Sequence, residues 1–179
     1  MISPAGPLPV RSDNGPWPLH DVESTRALER EALKDLPAGA LMDRAGFAVA
    51  RLTLALAPHA SAVEVWAGPG NNGGDGWAAA RHLVLAGKQV RVTQLGQVAS
   101  LPAEARQARE QALSAGVLSV AMGEVPGPAE ICIDALLGIG SARSPQGEML
   151  EAIRRINAAA GTVLAVDVPS GLHADTGSV

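Results

Sequence analysis

Residues 68–76 read Gly68-Pro69-Gly70-Asn71-Asn72-Gly73-Gly74-Asp75-Gly76, held between an apolar run, Val63 to Ala67, and a helix-like run, Trp77 to Ala86. Five glycines and two asparagines within nine residues leave little side chain for packing, which points to close backbone approach to a ligand. The order apolar strand, glycine loop, helix is that of the first turn in a nucleotide-binding α/β unit.

The chain around this stretch alternates in the same way. Val63 to Ala67 is predicted as a strand and Trp77 to Ala86 as a helix closed by Gly87. Val90 to Leu95 follows as a second strand, and Pro102 to Ala115 as a helix closed by Gly116. Val117 to Val120 and Ile131 to Leu137 are further strands, then Gly147 to Ala160 a helix and Thr162 to Val168 a fifth strand. Alternation of this kind requires parallel pairing through right-handed crossovers, with helices on both faces. The fold class is therefore α/β, a Rossmann-like, doubly wound, mainly parallel sheet. In such sheets ligands bind at the carboxyl ends of the strands. Three segments should converge there: the glycine loop, Asp134 to Gly140, and Asp167 to Gly171.

Upstream, the proline-rich residues 1–19 read as a flexible leader. The domain proper is expected over 20–179. It begins with two helices that a minimal nucleotide-binding unit lacks, one capped by Asp21 and ending near Leu36, the other reaching Leu56 before Pro58. They should pack on the sheet or on another subunit.

Composition narrows the function classes. A length of 179 residues suits one domain, for which about 70% of the unfolded surface would be buried. A net charge of -4 and 2% aromatic residues argue against nucleic acid, which needs a basic field and rings for stacking. Cys132 is the only cysteine, so the chain has no internal disulfide and no thiolate cluster for zinc. No apolar stretch reaches the roughly 18 residues of a membrane span. A reducing, cytoplasmic setting is the simple reading.

Gly68-x-Gly70-x-x-Gly73 has the spacing of a dinucleotide fingerprint, but two features do not fit. The region that should carry a ribose-binding carboxylate reads Thr93-Gln94-Leu95-Gly96, and Asp75 puts a negative charge among the donors that would cradle a phosphate. Asp75 suits a ribose hydroxyl, a cation or a proton transfer; alternatively it caps a helix beginning at Gly76 or Trp77. Asp134 and Asp167 each end an apolar strand, where a charge needs a partner, either a cation or the amides that follow. Ser170 lies in a tight turn without a nucleophile elbow. His59 and His82 read as surface or capping residues, whereas His173 lies nearer the cleft. Trp77 either packs its helix on the sheet or stacks on a ring at the loop mouth, and Cys132 reads as core.

GPGNNGGDG at 68–76, DALLGIG at Asp134 to Gly140, DVPSGLHADTG at Asp167 to Gly177 and Leu41-Met42-Asp43-Arg44-Ala45-Gly46 together resemble the YjeF N-terminal family, the NAD(P)HX epimerases. The resemblance spans about Asp21 to Val179. It implies a domain, commonly a homodimer, that interconverts the R and S epimers of hydrated NADH or NADPH (NADHX and NADPHX). A partner dehydratase, fused or separate, acts on the S epimer. It also implies a potassium ion (K+) on Asn72, Asp134 and Ser170. Implied substrate contacts are Asn71, Asn72, Gly73, Gly74 and Asp75, then Gly138, Ile139, Gly140, Ser141, Ala142, Arg143 and Ser144, with Asp167.

On this reading Asp167 is the acid and base of the reaction, with Asp75 the second candidate. The pattern departs from the family at His173, where members often carry Asp, and in the outline match of Gly140-Ser141-Ala142-Arg143. The family's domain ordinarily continues with a further strand and helix, so a longer parent chain is expected. The alternative function is a non-catalytic nucleotide-binding or dimerisation scaffold of the same fold.

Overall fold

In a computed structural model, which describes residues 20–124, 129–141, 143–158 and 161–179, the apolar run before the glycines is strand β1 (Ala62–Ala67). It lies at the centre of a five-stranded sheet with β2 (Gln89–Gln94), β3 (Leu118–Val120), β4 (Ile131–Ala135) and β5 (Thr162–Ala165), in the order β3-β2-β1-β4-β5. Every pairing is parallel. The expected class and strand count are borne out. In register, Ala67 stands beside both Gln94 and Ala135, so the loops leaving β1, β2 and β4 emerge at one level.

The helices are α1 (Val22–Ala32), α2 (Ala40–Leu56), α3 (Asn71–Leu85), α4 (Ala103–Ser114) and α5 (Glu148–Ala158). Strand alternation divides the core. Val63, Val65, Val92, Ile131 and Ile133 face α2, α3 and α4 in one cluster, whereas Trp66, Cys132 and Leu136 meet Ala152 and Ile156 of α5 in another. Cys132 is core, as expected, and burial pushes its thiol up to about 12.

The largest correction concerns α3, which starts at Asn71 and not near Trp77. The glycines are its first turns, and they let it lie hard against the sheet. A Cβ on Gly68 would overlap the Leu136 carbonyl, one on Gly73 the Gly68 carbonyl, and one on Gly76 would stand 2.5 Å from Ala135 Cβ. Close approach is thus required, and much of it is to the protein itself.

Other boundaries moved less. α1 ends at Ala32, although Asp21 caps it as expected, accepting a 2.8 Å bond from Ser24 N. None of the α1 side chains is buried, so its apolar stripe has no core to join. α2 packs on α3, with Gly46 against Ala78. β4 and β5 end two to three residues early, because Leu136, Leu137 and Val166 already turn into the site loops. The leader at residues 1–19 lies outside the described residues. Among the described residues, no helix is long and apolar enough to cross a membrane.

Candidate functional site

The carboxyl ends of β1, β4 and β5 open into a cavity of about 900 Å³. One wall is the start of α3, with Gly70, Asn71, Asn72 and Asp75; the facing wall is Leu136 to Ser141 with Arg143, Val166 and Asp167. The expected convergence of three loops at one sheet edge is what the cavity shows. Thr25, Arg26 and Glu29 of α1 border it too, as does Ala45 of α2. Ala45 belongs to the apolar stripe and motif of α2, whereas Thr25, Arg26 and Glu29 carry no sequence signal, because they are polar residues of α1 that no spacing rule marks.

Asp75 sits one turn inside α3, so the capping reading of this residue is overturned. The helix begins at Asn71, Gly70 is its cap position, and a residue in the second turn cannot cap the first. Burial first, then the charges of Asp167, Glu29 and Glu104, push the Asp75 carboxyl up to about 7. The positive end of the helix opposes that rise but is worth only about 0.3–1 kcal/mol. A carboxyl group half protonated near neutrality can both give and take a proton.

Asp167, exposed just beyond β5, accepts a 2.8 Å bond from Ile139 N at Oδ2. Its loop closes on Gly138, where an added Cβ would stand 2.7 Å from Asp167 Oδ2 and 3.4 Å from Asn72 Cγ. Asn72, Asp167 and the Gly138 turn are therefore neighbours.

Asp134 and Ser170 lie below the cavity lining and knit its floor. Asp134 Oδ1 accepts from Ser170 Oγ at 2.6 Å and Leu136 N at 3.1 Å, and Oδ2 accepts from Ser170 N at 2.9 Å. Ser170 Oγ in turn accepts from Leu137 N at 2.9 Å. The amides and hydroxyl that follow the strands thus supply the partners that a buried carboxylate needs.

Asn72 has a buried side-chain nitrogen without a hydrogen-bond partner, and turning its amide over would present the oxygen instead. Asp134 and Ser170 add a carboxylate and a hydroxyl in direct contact, so the set offers the oxygens that a hard cation takes. Among the described residues, no group of three or more His, Cys, Asp and Glu is placed to hold a metal.

Of the other sequence candidates, Gly73 and Gly74 are turned into packing, Gly74 against Met42 and Ala105. Ser144 and His173 line a separate cavity of about 160 Å³ beside Arg143, and Ala142 lies outside the described residues. His82 is bonded to Asp43 and packs edge-on against Phe47, away from the cavity.

Trp77 is fully buried, so it packs and does not stack at the mouth. Its indole N–H donates to Gln94 Oε1 at 2.6 Å, and Gln94 Nε2 donates to the carbonyls of Ala67, Gly68 and Leu95. Gln94 stands at the end of β2, where a dinucleotide coenzyme site places its ribose carboxylate. That position is spent on holding the glycine segment.

Residues 38–179 match the model of the YjeF-related protein N-terminus. The chain belongs to the YjeF N-terminal family. It is 43% identical over 159 residues to the NAD(P)H-hydrate epimerase of Bordetella pertussis, covering 89% of this chain and 68% of that one. It is 40% identical over 147 residues to the protein of the same name in Limosilactobacillus fermentum, covering 80% and 69%. The bifunctional NAD(P)H-hydrate repair enzyme Nnr of Hyperthermus butylicus is 42% identical over 144 residues, covering 76% of this chain and 27% of that one. This YjeF N-terminal chain thus spans about a quarter of the bifunctional relative and two thirds of the epimerases. The crystal structure of the yeast protein ynu0 superposes with a TM-score of 0.82 at 23% identity, over 91% of this chain and 75% of that one, and shares the fold.

Proposed function

We propose that this chain is an NAD(P)H-hydrate epimerase, an isomerase that interconverts the R and S forms of hydrated NADH and NADPH. The observation that carries the reading is the placement of two carboxylates, Asp75 and Asp167, on one cavity of dinucleotide size, with Asp75 poised near neutrality. The relatives named for this activity support it.

Inversion at C6 of the reduced nicotinamide ring needs the hydroxyl to leave and return on the other face, or the ring to open and close. In the first route an acid gives its proton to the hydroxyl as the C6–O bond breaks, and water departs. Water then adds to the other face of C6 while the resulting base takes a proton back, so atoms and charge balance. Asp75 can hold that proton on the α3 wall. Asp167, kept in place by Ile139 N, serves the other face of the cavity. The packed glycines set the α3 wall at fixed distance, and Asn72 meets Asp167 beside Gly138.

Potassium, held by Asn72, Asp134 and Ser170, would supply positive charge beneath an anionic nucleotide. The substrate's S form would pass to a dehydratase in the same polypeptide or a separate one, in keeping with the bifunctional relatives' name. The setting is cytoplasmic and the working unit a homodimer, which light scattering would test.

The decisive experiment is chromatographic: separated epimers of NADHX are incubated with the protein, with and without K+. Interconversion that falls about a hundredfold or more in Asp75→Asn or Asp167→Asn, with the fold retained, is the expected result. No interconversion, with no nucleotide or potassium binding, would instead leave a scaffold.

A further inference from the structure

The cavity holds a cation that neither the sequence motifs nor the mechanism uses. Arg26, on the second turn of α1, borders it. Its guanidinium lies over the Gly138–Ser141 turn, where a Cβ built on Gly140 would stand 2.7 Å from Arg26 Nη2. Glycine at this position leaves the space that the guanidinium enters. Among the described residues Arg26 makes no hydrogen bond or ion pair, although Glu29 borders the same cavity. A guanidinium offers five donors in a planar fork suited to phosphate oxygens, and here that fork is left free.

Its place along the turn indicates which anion it meets. Asp167 closes on Gly138 and Arg26 on Gly140, two residues further along one loop. Two residues span at most about 7 Å. Asp167 and Arg26 thus approach neighbouring points of one turn, so with Asp167 at the nicotinamide ring the guanidinium faces the diphosphate that follows the adjoining ribose. The acidic groups nearby, Glu29, Asp75 and Asp167, leave Arg26 and Arg143 as the positive side chains among the lining residues.

We propose that Arg26 binds the pyrophosphate of the substrate, making α1 a recognition element and not only an N-terminal extension. The proposal builds on the epimerase reading for its choice of nucleotide. It commits to the pyrophosphate that NADHX and NADPHX share, not to the additional 2′-phosphate of NADPHX.

The test uses the whole chain with Arg26→Ala, Arg26→Lys and Gly140→Ala. Calorimetric titration with ADP-ribose, which carries the pyrophosphate but no nicotinamide, should show Arg26→Ala weakening the Kd about ten- to a hundredfold. Arg26→Lys should recover part of the loss. Gly140→Ala, which displaces the guanidinium without strain on backbone, should weaken binding to a smaller degree. KM for NADHX and NADPHX should rise together in Arg26→Ala, by more than kcat falls.

An unchanged Kd, no binding of ADP-ribose by the parent protein at millimolar concentration, or a KM effect confined to NADPHX would each overturn the proposal. A parent protein that binds ADP-ribose through Arg26 but fails to epimerise would sink the epimerase reading alone.

Discussion

The two walls of the cavity are built on different physics. The α3 wall is held by contact: its glycines bring helix and strand backbones together, and Gln94 pins the Gly68 carbonyl from the side. The facing wall is held by hydrogen bonds: Asp134, Ser170, Leu136 N and Leu137 N tie two loops together, and Asp167 ties a third point at Ile139 N. A wall made by contact has no tolerance for added volume, whereas a wall made by polar partners has no tolerance for losing one. The difference explains why the residues with reactive side chains lie near the glycines without those glycines having to touch a ligand.

The contrast can be broken most severely at Gly68. Gly68→Ala drives a methyl group into the Leu136 carbonyl, and the expected cost is about 4 kcal/mol or loss of folding, read by denaturant unfolding. On the other wall, Asp134→Ala leaves three donors without their acceptor. At about 1–3 kcal/mol for each unpaired buried donor, partly relieved by entering water, a loss on the order of 3 kcal/mol is expected in the same measurement.

Asp75→Asn probes the partly buried carboxyl group of the contact wall. The folded-state value of about 7 lies above the unfolded value of about 4, so the folded state holds the proton more tightly and ionisation destabilises it. This contribution to stability is greatest below about pH 4, declines up to about pH 7 and is level above. Asp75→Asn should remove that slope and raise stability at pH 8 by less than the roughly 4 kcal/mol that three pKa units represent, while epimerisation is lost. A parent protein whose stability is flat across this range would refute the raised value at Asp75. The smallest effect is expected at Gly70, where an added Cβ meets nothing within 4 Å and the backbone is extended. Gly70→Ala should change stability by no more than about 0.5 kcal/mol.

The parallel sheet, its five strands and the meeting of three loops were legible because alternation and strand ends depend on local pattern alone. The start of α3 was not. Glycine and asparagine score as loop formers, and only the nearness of Leu136 and Ala135 shows that the missing side chains serve helix packing. Asp75 was legible as an anomaly, yet its role as a cap depended on the misplaced helix start. The floor formed by Asp134 and Ser170 was foreseen as one of two options, since a carboxylate at a strand end must have partners but the sequence does not rank amides against an ion. Gln94 and Arg26 were missed because each acts across the fold, one through Trp77 and the other through a helix 114 positions before Gly140.

The attachment of α1 has a consequence for how the site comes together. The helix buries none of its side chains, and its first amide, Val22 N, bonds Asp175 Oδ1 at 3.0 Å across 153 positions. Joining points so far apart carries a large loop-closure entropy, which is met only after the sheet between them has formed. During synthesis the earliest of the described helices is therefore the one that docks last. In the finished protein its amides should exchange with deuterated solvent well before those of α3, so that this border of the cavity opens and reseals while Asp75 and Asp167 stay where they are.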